Sequence, residues 1–415
     1  MKRRDLLAGA AGLIGGAVLA GAPNAAAGQQ RVPSSTPPVL PPPIPDDPTK
    51  LQGAPTSQVG TRSTFVTPTR TPYGEVTGSS LTPLQDLTGT ITPADLHFER
   101  HHAGVPRIDP AKHTLLIHGL VKRPLVFSVA DMQRFPQVTR TYFVECSGNG
   151  RAAYRDPKPD MTPQKVAGLT GNSEWTGVPL RVLLAEAGVE ASASWFLAEG
   201  GDACVMTRSI PLEKAMDDAL VVWAQNGEPL RPEQGFPLRL LLPGWEGNTN
   251  VKWLRRLELG TRPWATRWET SKYTDPLPDG TARQYSFEMD AKSIITSPAF
   301  PRTIVKGWWP VAGLAWSGRG AIRRVEVSTD NGRSWADAEL HGTPLAKAHV
   351  RFTHQWKWDG TESVLLSRAT DDTGYVQPTR AALIKVRGLG TDFHFNQIVG
   401  WRVAADGHLF FHGES

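Results

Sequence analysis

Cysteine is scarce in this chain: 415 residues hold only Cys146 and Cys204. That scarcity removes whole classes of redox protein. An iron–sulfur cluster held by four thiolates is excluded, the C-x-x-C-H run of a covalent c-type haem is missing, and a four-cysteine zinc site fails on the same count. No G-x-G-x-x-G stands at a strand-to-helix turn, so a dinucleotide fingerprint is lacking too. Beyond residue 27 no stretch reaches the roughly 20 apolar residues that a membrane-spanning helix needs. Excess charge is also small. Forty-five basic against 40 acidic side chains leave +5, which argues against a nucleic-acid partner.

What is present begins with residues 1–27. Lys2-Arg3-Arg4-Asp5-Leu6-Leu7 opens a basic region, Leu6 to Ala20 is apolar and rich in Ala and Gly, and Ala25-Ala26-Ala27 offers a small-residue cleavage site. The Arg3-Arg4 pair resembles the twin-arginine class of export signal, which carries folded proteins across a membrane. The expected product is a soluble periplasmic protein. Removing this segment takes away three cations and one anion and lowers the formal charge to +3. An oxidising compartment would permit a Cys146–Cys204 disulfide.

Residues 28–85 read as a linker or arm, with the proline-rich "VPSSTPPVLPPPIPDDP" from Val32 to Pro48 favouring extended conformations. Residues 86–275 mix strand and helix patterns. "TLLIHGLV" (Thr114 to Val121) and "FPLRLLLPG" (Phe236 to Gly244) suggest strands, and "PLRVLLAEAGV" (Pro179 to Val189) has helical spacing between a proline and a glycine. The expectation is an α+β domain. Residues 285–412 change to short alternating runs, which suggests an immunoglobulin-like β-sandwich. In "IRRVEVSTDNGRSWADAEL" (Ile322 to Leu340) the Asn331-Gly332 pair predicts a tight hairpin. Its Ser328-to-Trp335 stretch resembles the Asp-box of sialidase propellers, but a propeller would repeat it, so a structural turn is expected.

Cys146 sits where a strand-like run gives way to glycine-punctuated loop, in "YFVECSGNGR" from Tyr142 to Arg151. Disulfide formation, core packing, a nucleophile and a single soft metal ligand all remain open for it. "FERHHAGVP" (Phe98 to Pro106), "VECSGNGR" (Val144 to Arg151), "GFPLRLLLPGWEGNTNVKWL" (Gly235 to Leu254) and "SKYTD" (Ser271 to Asp275) resemble, in order and spacing, the sulfite oxidase family of molybdopterin enzymes. The likeness covers roughly residues 90–411. Within the family, "NTNVKWLRR" and "RWETSKYTD" look most like the molybdenum subunits of bacterial sulfane dehydrogenases of the thiosulfate-oxidising Sox system.

The resemblance implies a molybdopterin-binding domain followed by a dimerisation sandwich, hence a homodimer. It implies one molybdenum–molybdopterin per chain, with Cys146 as the metal's protein ligand and no haem or iron–sulfur cluster. For the pterin and its phosphate the pattern falls on Arg100, His101, His102, Asp202, Arg239, Asn250, Val251 and Lys252. For a sulfur oxyanion it falls on Arg100, Arg151 and Tyr273. The implied activity oxidises sulfite or protein-bound sulfane sulfur with oxygen from water, passing electrons to a c-type cytochrome, of dihaem type; a sulfur-carrier protein is the implied substrate partner. Three departures stand out: His101 where the family has asparagine, Gln234 in place of a histidine, and His394 where sulfite oxidases have a substrate-binding arginine. They suggest a less cationic pocket. Two other readings stay open, a methionine-sulfoxide-type reductase of the same superfamily and a periplasmic β-sandwich binding protein with a Cys146–Cys204 disulfide.

Overall fold

The computed structural model describes residues 53–413. The expected export signal and the proline-rich run lie outside them. From Arg62 onward the chain forms one compact unit. Its two halves are joined by a common apolar core in which Phe143, Ala153 and Val166 of the first pack with Ile294, Ile295 and Trp316 of the second. Among the described residues no helix is long and apolar enough to cross a membrane.

The first half holds two five-stranded sheets. In one, Val138–Glu145 forms the edge beside Thr170–Pro179, which pairs Leu220–Gln225. In the other, Leu254–Gly260 lies between Thr114–Gly119, to which it is parallel, and Trp195–Gly200, to which it is antiparallel. The helix Leu180–Ala187 buries Leu180, Leu183, Leu184 and Ala187, one face at helical spacing, and ends at Gly188, whose φ of +71° a side chain would resist. The short buried strand Arg239–Leu241 stops before Pro243-Gly244. This is the expected mixed α+β architecture, poor in helix.

The second half is a sandwich. A four-stranded sheet built on Lys292–Ser297, Gly307–Trp316 and Val350–Trp358 faces a five-stranded sheet built on Ile322–Ser328, Ser363–Asp371 and Gly400–Val403. The predicted hairpin is present. Asn331 and Gly332 both have positive φ, and Val327 pairs Ala336 across the turn. Asp330 accepts from Ser334 and Ser328 while Trp335 donates to Gly332, so the Asp-box residues close a structural turn.

The stretch read as a linker up to residue 85 forms sheet from Thr71 to Leu81. Thr71–Gly74 and Gly78–Leu81 form a hairpin, and the second strand pairs Glu99–His101. Leu81 and Leu84 are buried. Threonine, serine and glycine hid these strands because the pairing uses backbone groups, which composition does not report.

His97 and His349 lie in the interior where the halves meet. His349 shares a hydrogen bond of 3.0 Å with Thr170 and stacks on Phe143, while the Nδ1 of His97 faces the Phe98 carbonyl at 3.0 Å. Burial pushes both pKa values down to about 3. The unfolded chain therefore binds more protons wherever the pH is below the ordinary histidine value, and the stability is complete above about 6.5 and declines as pH falls toward 3. Between pH 6.5 and 5 the two histidines together cost up to about 4 kcal/mol. Urea midpoints measured at both pH values test this; an unchanged midpoint contradicts it.

Candidate active site

The strand Val138–Glu145 delivers Cys146 into a loop tied at both ends. The Cys146 amide donates to the Leu169 carbonyl at 2.9 Å, and Asn149 N–H returns to the Cys146 carbonyl at 2.9 Å. Gly148 lies against the thiol: a Cβ there would stand 3.8 Å from Sγ and 3.4 Å from the Arg151 guanidinium. Both cysteines are free, so the disulfide alternative does not hold. Burial raises the Cys146 pKa, with Arg100 and Arg151 opposing it.

Cys146 opens onto a cleft. Arg239 lies in its wall, 4 % exposed, with no carboxylate partner among the described residues. Its Nη1 donates to the backbone and side-chain oxygens of Gln234 at 3.2 and 3.1 Å, its Nε has no hydrogen-bond partner, and its guanidinium rests 5.2 Å from the Trp175 ring. Burial lowers its pKa to about 9, which still leaves it charged at neutral pH. Lys252, half-buried, is the second cation of the cleft. Its Nζ donates to the carbonyls of Arg100 (3.1 Å) and Glu233 (3.0 Å) and to Nδ1 of His101 (2.8 Å). That last bond makes Nδ1 an acceptor, so His101 uses Nε2–H to donate to Glu99 Oε2 at 2.7 Å. Burial and the neighbouring Arg239 press the Lys252 pKa well below its usual value.

A buried arginine whose side-chain contacts are all neutral is costly unless an anion joins it. Among the described residues no three His, Cys, Asp or Glu side chains gather to hold a bare metal ion. One soft thiol beside unmatched positive charge suits a metal already carried by an anionic organic ligand.

Comparison with known proteins agrees. A family model described as "Oxidoreductase molybdopterin binding domain" matches residues 102–268, and one described as "Mo-co oxidoreductase dimerisation domain" matches residues 283–400. Sulfite oxidase of Gallus gallus is 31% identical over 330 residues, covering 73% of this chain and 72% of that one. The chain belongs to the sulfite oxidase family. Mitochondrial sulfite oxidase of Rattus norvegicus is likewise 31% identical over 72% of this chain, which spans 59% of that protein's length. The crystal structure of the sulfane dehydrogenase SoxCD from Paracoccus pantotrophus matches at a TM-score of 0.84 and 44% identity, over 88% of this chain and 96% of the matched one.

Against the expectations that the sulfite oxidase family raises, most site residues converge. Arg100, His101, His102, Cys146, Asp202, Arg239, Asn250, Val251, Lys252 and Tyr273 all line the cleft. The strand Glu99–His101 presents the first pair, and the turn before Leu254 presents Asn250 to Lys252. His102 Nε2 and the Tyr273 hydroxyl share a hydrogen bond of 2.7 Å. Burial and Arg100 lower the His102 pKa to about 4, so this imidazole is neutral, and burial raises Tyr273, so the phenol keeps its proton.

Some residues have a second occupation. Asp202 accepts from the Met206 amide and from the Cys204 thiol at 2.9 Å, and burial with Asp202 pushes Cys204 up to about 12. The Asn250 amide is turned inward, accepting from Leu242 N–H at 2.7 Å and donating to Glu246. Arg151 is absent from the cleft lining. It lies beyond Gly148, donating to the Asp392 carbonyl at 2.6 and 3.2 Å, and faces a separate open groove with Tyr73 and Arg155.

Sequence reading missed Arg208. It is fully buried, ion-paired with Glu246 (3.3 Å) and Glu269 (3.7 Å), bonded to Asn248, and its guanidinium is 5.2 Å from the Tyr273 ring. An arginine inside the strand Thr207–Pro211, otherwise free of charge, was the available sign. His394, the departure from the family's arginine, approaches Glu246 at 3.4 Å and donates its backbone N–H to the Ser147 carbonyl.

Proposed function

We propose that this chain is a molybdopterin-dependent oxidoreductase that oxidises sulfur, taking protein-bound sulfane sulfur or sulfite and passing electrons to a c-type cytochrome. The observation that carries the reading is the joint presence, in one cleft, of a single cysteine thiol, the buried Arg239 without a carboxylate partner among the described residues, and a second cation, Lys252. The 44% identity to a sulfane dehydrogenase supports the choice of sulfur. When bound, the cofactor supplies two-electron transfer of an oxygen atom drawn from water.

The residues divide the remaining work. Arg239 and Lys252 hold the pterin phosphate, and Cys146 supplies the thiolate ligand. Arg100 presents constant positive charge to a sulfur oxyanion. Tyr273, held by neutral His102, offers an O–H toward the reacting oxygen. Each turnover adds one oxygen to sulfur and releases two protons and two electrons. The electrons leave through a partner, because two cysteines cannot build a cluster and no haem motif is present. We place the protein in the periplasm, exported folded, as a homodimer through the sandwich.

Tyr273→Phe lowers kcat/KM about tenfold, the worth of one hydrogen bond to a charged group, and leaves the pterin content at the wild-type level. Steady-state kinetics with pterin quantification checks both halves; loss of pterin would make Tyr273 a structural residue.

The whole reading is tested with the full chain under anaerobic conditions, supplying sulfite or a persulfidated carrier protein with and without a dihaem cytochrome or ferricyanide. A single reduction that stalls until acceptor is added supports it. Sustained turnover without acceptor, or reduction of methionine sulfoxide alone, overturns it.

A further inference from the structure

Glu145 precedes the thiol by one residue and is fully buried. Its Oε1 accepts from Lys292 Nζ at 2.9 Å and from Asn149 Nδ2 at 2.8 Å, and its Oε2 accepts from Trp316 Nε1 at 2.7 Å. Lys292 Nζ also donates to the Asn149 carbonyl at 2.9 Å. Asn149 in turn binds the Cys146 carbonyl through its amide N–H and the Leu169 amide through Oδ1. One ammonium therefore ties down both flanks of Cys146.

Lys292 and Trp316 belong to the sandwich, where they pair across neighbouring strands. The loop is shaped to receive them. Gly150 has a φ of +100°, and a Cβ there would meet Lys292 Nζ at 3.3 Å and the Phe395 carbonyl at 3.2 Å. A carboxylate and an ammonium taken out of water cost more than a well-packed apolar pair would, and such pairs are best explained where they select one arrangement among several.

We infer that Lys292 is a positioning residue for the metal-binding thiol: the C-terminal half grips the 145–150 loop from behind and holds Cys146 Sγ toward the cleft. This rests on Cys146 being the cofactor's ligand. Lys292 touches no reacting atom, so its effect passes entirely through the loop.

The two cysteines provide an internal control, because Cys204 lies outside this network and bonds Asp202 instead. In full-length, cofactor-free protein, iodoacetamide alkylation is followed at each cysteine separately by peptide mass spectrometry. Lys292→Met speeds alkylation of Cys146 about tenfold, as local opening of the loop requires, and leaves Cys204 unchanged. Should the buried, unpaired Glu145 prevent that variant from folding, E145Q/K292M removes both charges and shows the same selective rise. Equal acceleration of both cysteines, or none at Cys146, overturns the inference. A separate arm addresses the ligand reading: in wild-type protein loaded with cofactor, Cys146 is protected from alkylation. Full reactivity there would refute the ligation and leave the Lys292 result standing.

Discussion

Replacing Cys146 by serine leaves a folded chain whose sulfur oxidation falls about a thousandfold, ~4 kcal/mol of transition-state stabilisation. Folding survives because the loop is held through backbone groups, the Cys146 amide to Leu169 and the Cys146 carbonyl to Asn149, and neither bond needs the sulfur. The hydroxyl is a harder and far less acidic donor than the thiol, so a sulfur-ligated metal gains little from it. Melting curves should superimpose on wild type while turnover falls by that factor and the thiolate-dependent visible absorption disappears. Wild-type turnover in the serine variant would remove Cys146 from the site.

Arg239→Met acts with opposite signs on the empty and the loaded protein. Without cofactor, the guanidinium is a buried charge bonded only to Gln234 and lacking a partner at Nε. Methionine matches its length and packs against Trp175 without needing an anion, so the cofactor-free chain melts higher. With cofactor, the loss of a charge-assisted bond to phosphate weakens retention about a hundredfold, ~2.7 kcal/mol. Calorimetry of the empty chain and pterin release during dialysis of the loaded one give the two signs. A variant that melts lower when empty and keeps its pterin would assign Arg239 to packing alone.

Local chemistry explains what could be read from the sequence. The Leu180–Ala187 helix announces itself by proline before, glycine after and leucines at helical spacing, and the Asn331-Gly332 turn by residues that accept positive φ. The site residues are legible only through the family resemblance: Cys146 at a strand end, Arg239 in a buried strand and Lys252 in a turn carry no role by local pattern alone. What escaped depends on partners far along the chain. Arg208 meets Glu246 and Glu269, and Lys292 meets Glu145, only after several strands have paired. The family resemblance puts Arg151 at the substrate, while the helix it opens, Arg151–Arg155, directs its side chain to Asp392. Asn250 likewise lies where expected while its amide serves the turn.

The grip on the thiol loop has a temporal consequence. Lys292 reaches back 147 residues to Glu145, and Trp316 reaches back 171. On a ribosome the first half is made long before those residues exist, and contacts of such separation close late and slowly. The strand Val138–Glu145 can pair with Thr170–Pro179 early, but the loop after it stays unclamped until the last third of the polypeptide has emerged and the sandwich has closed. The cofactor thus meets a finished receptor only after Lys292 and Trp316 have been made and have docked on Glu145. A nascent or truncated product ending before Lys292 would present the cysteine on an open loop, ready for stray oxidants and unready for the metal.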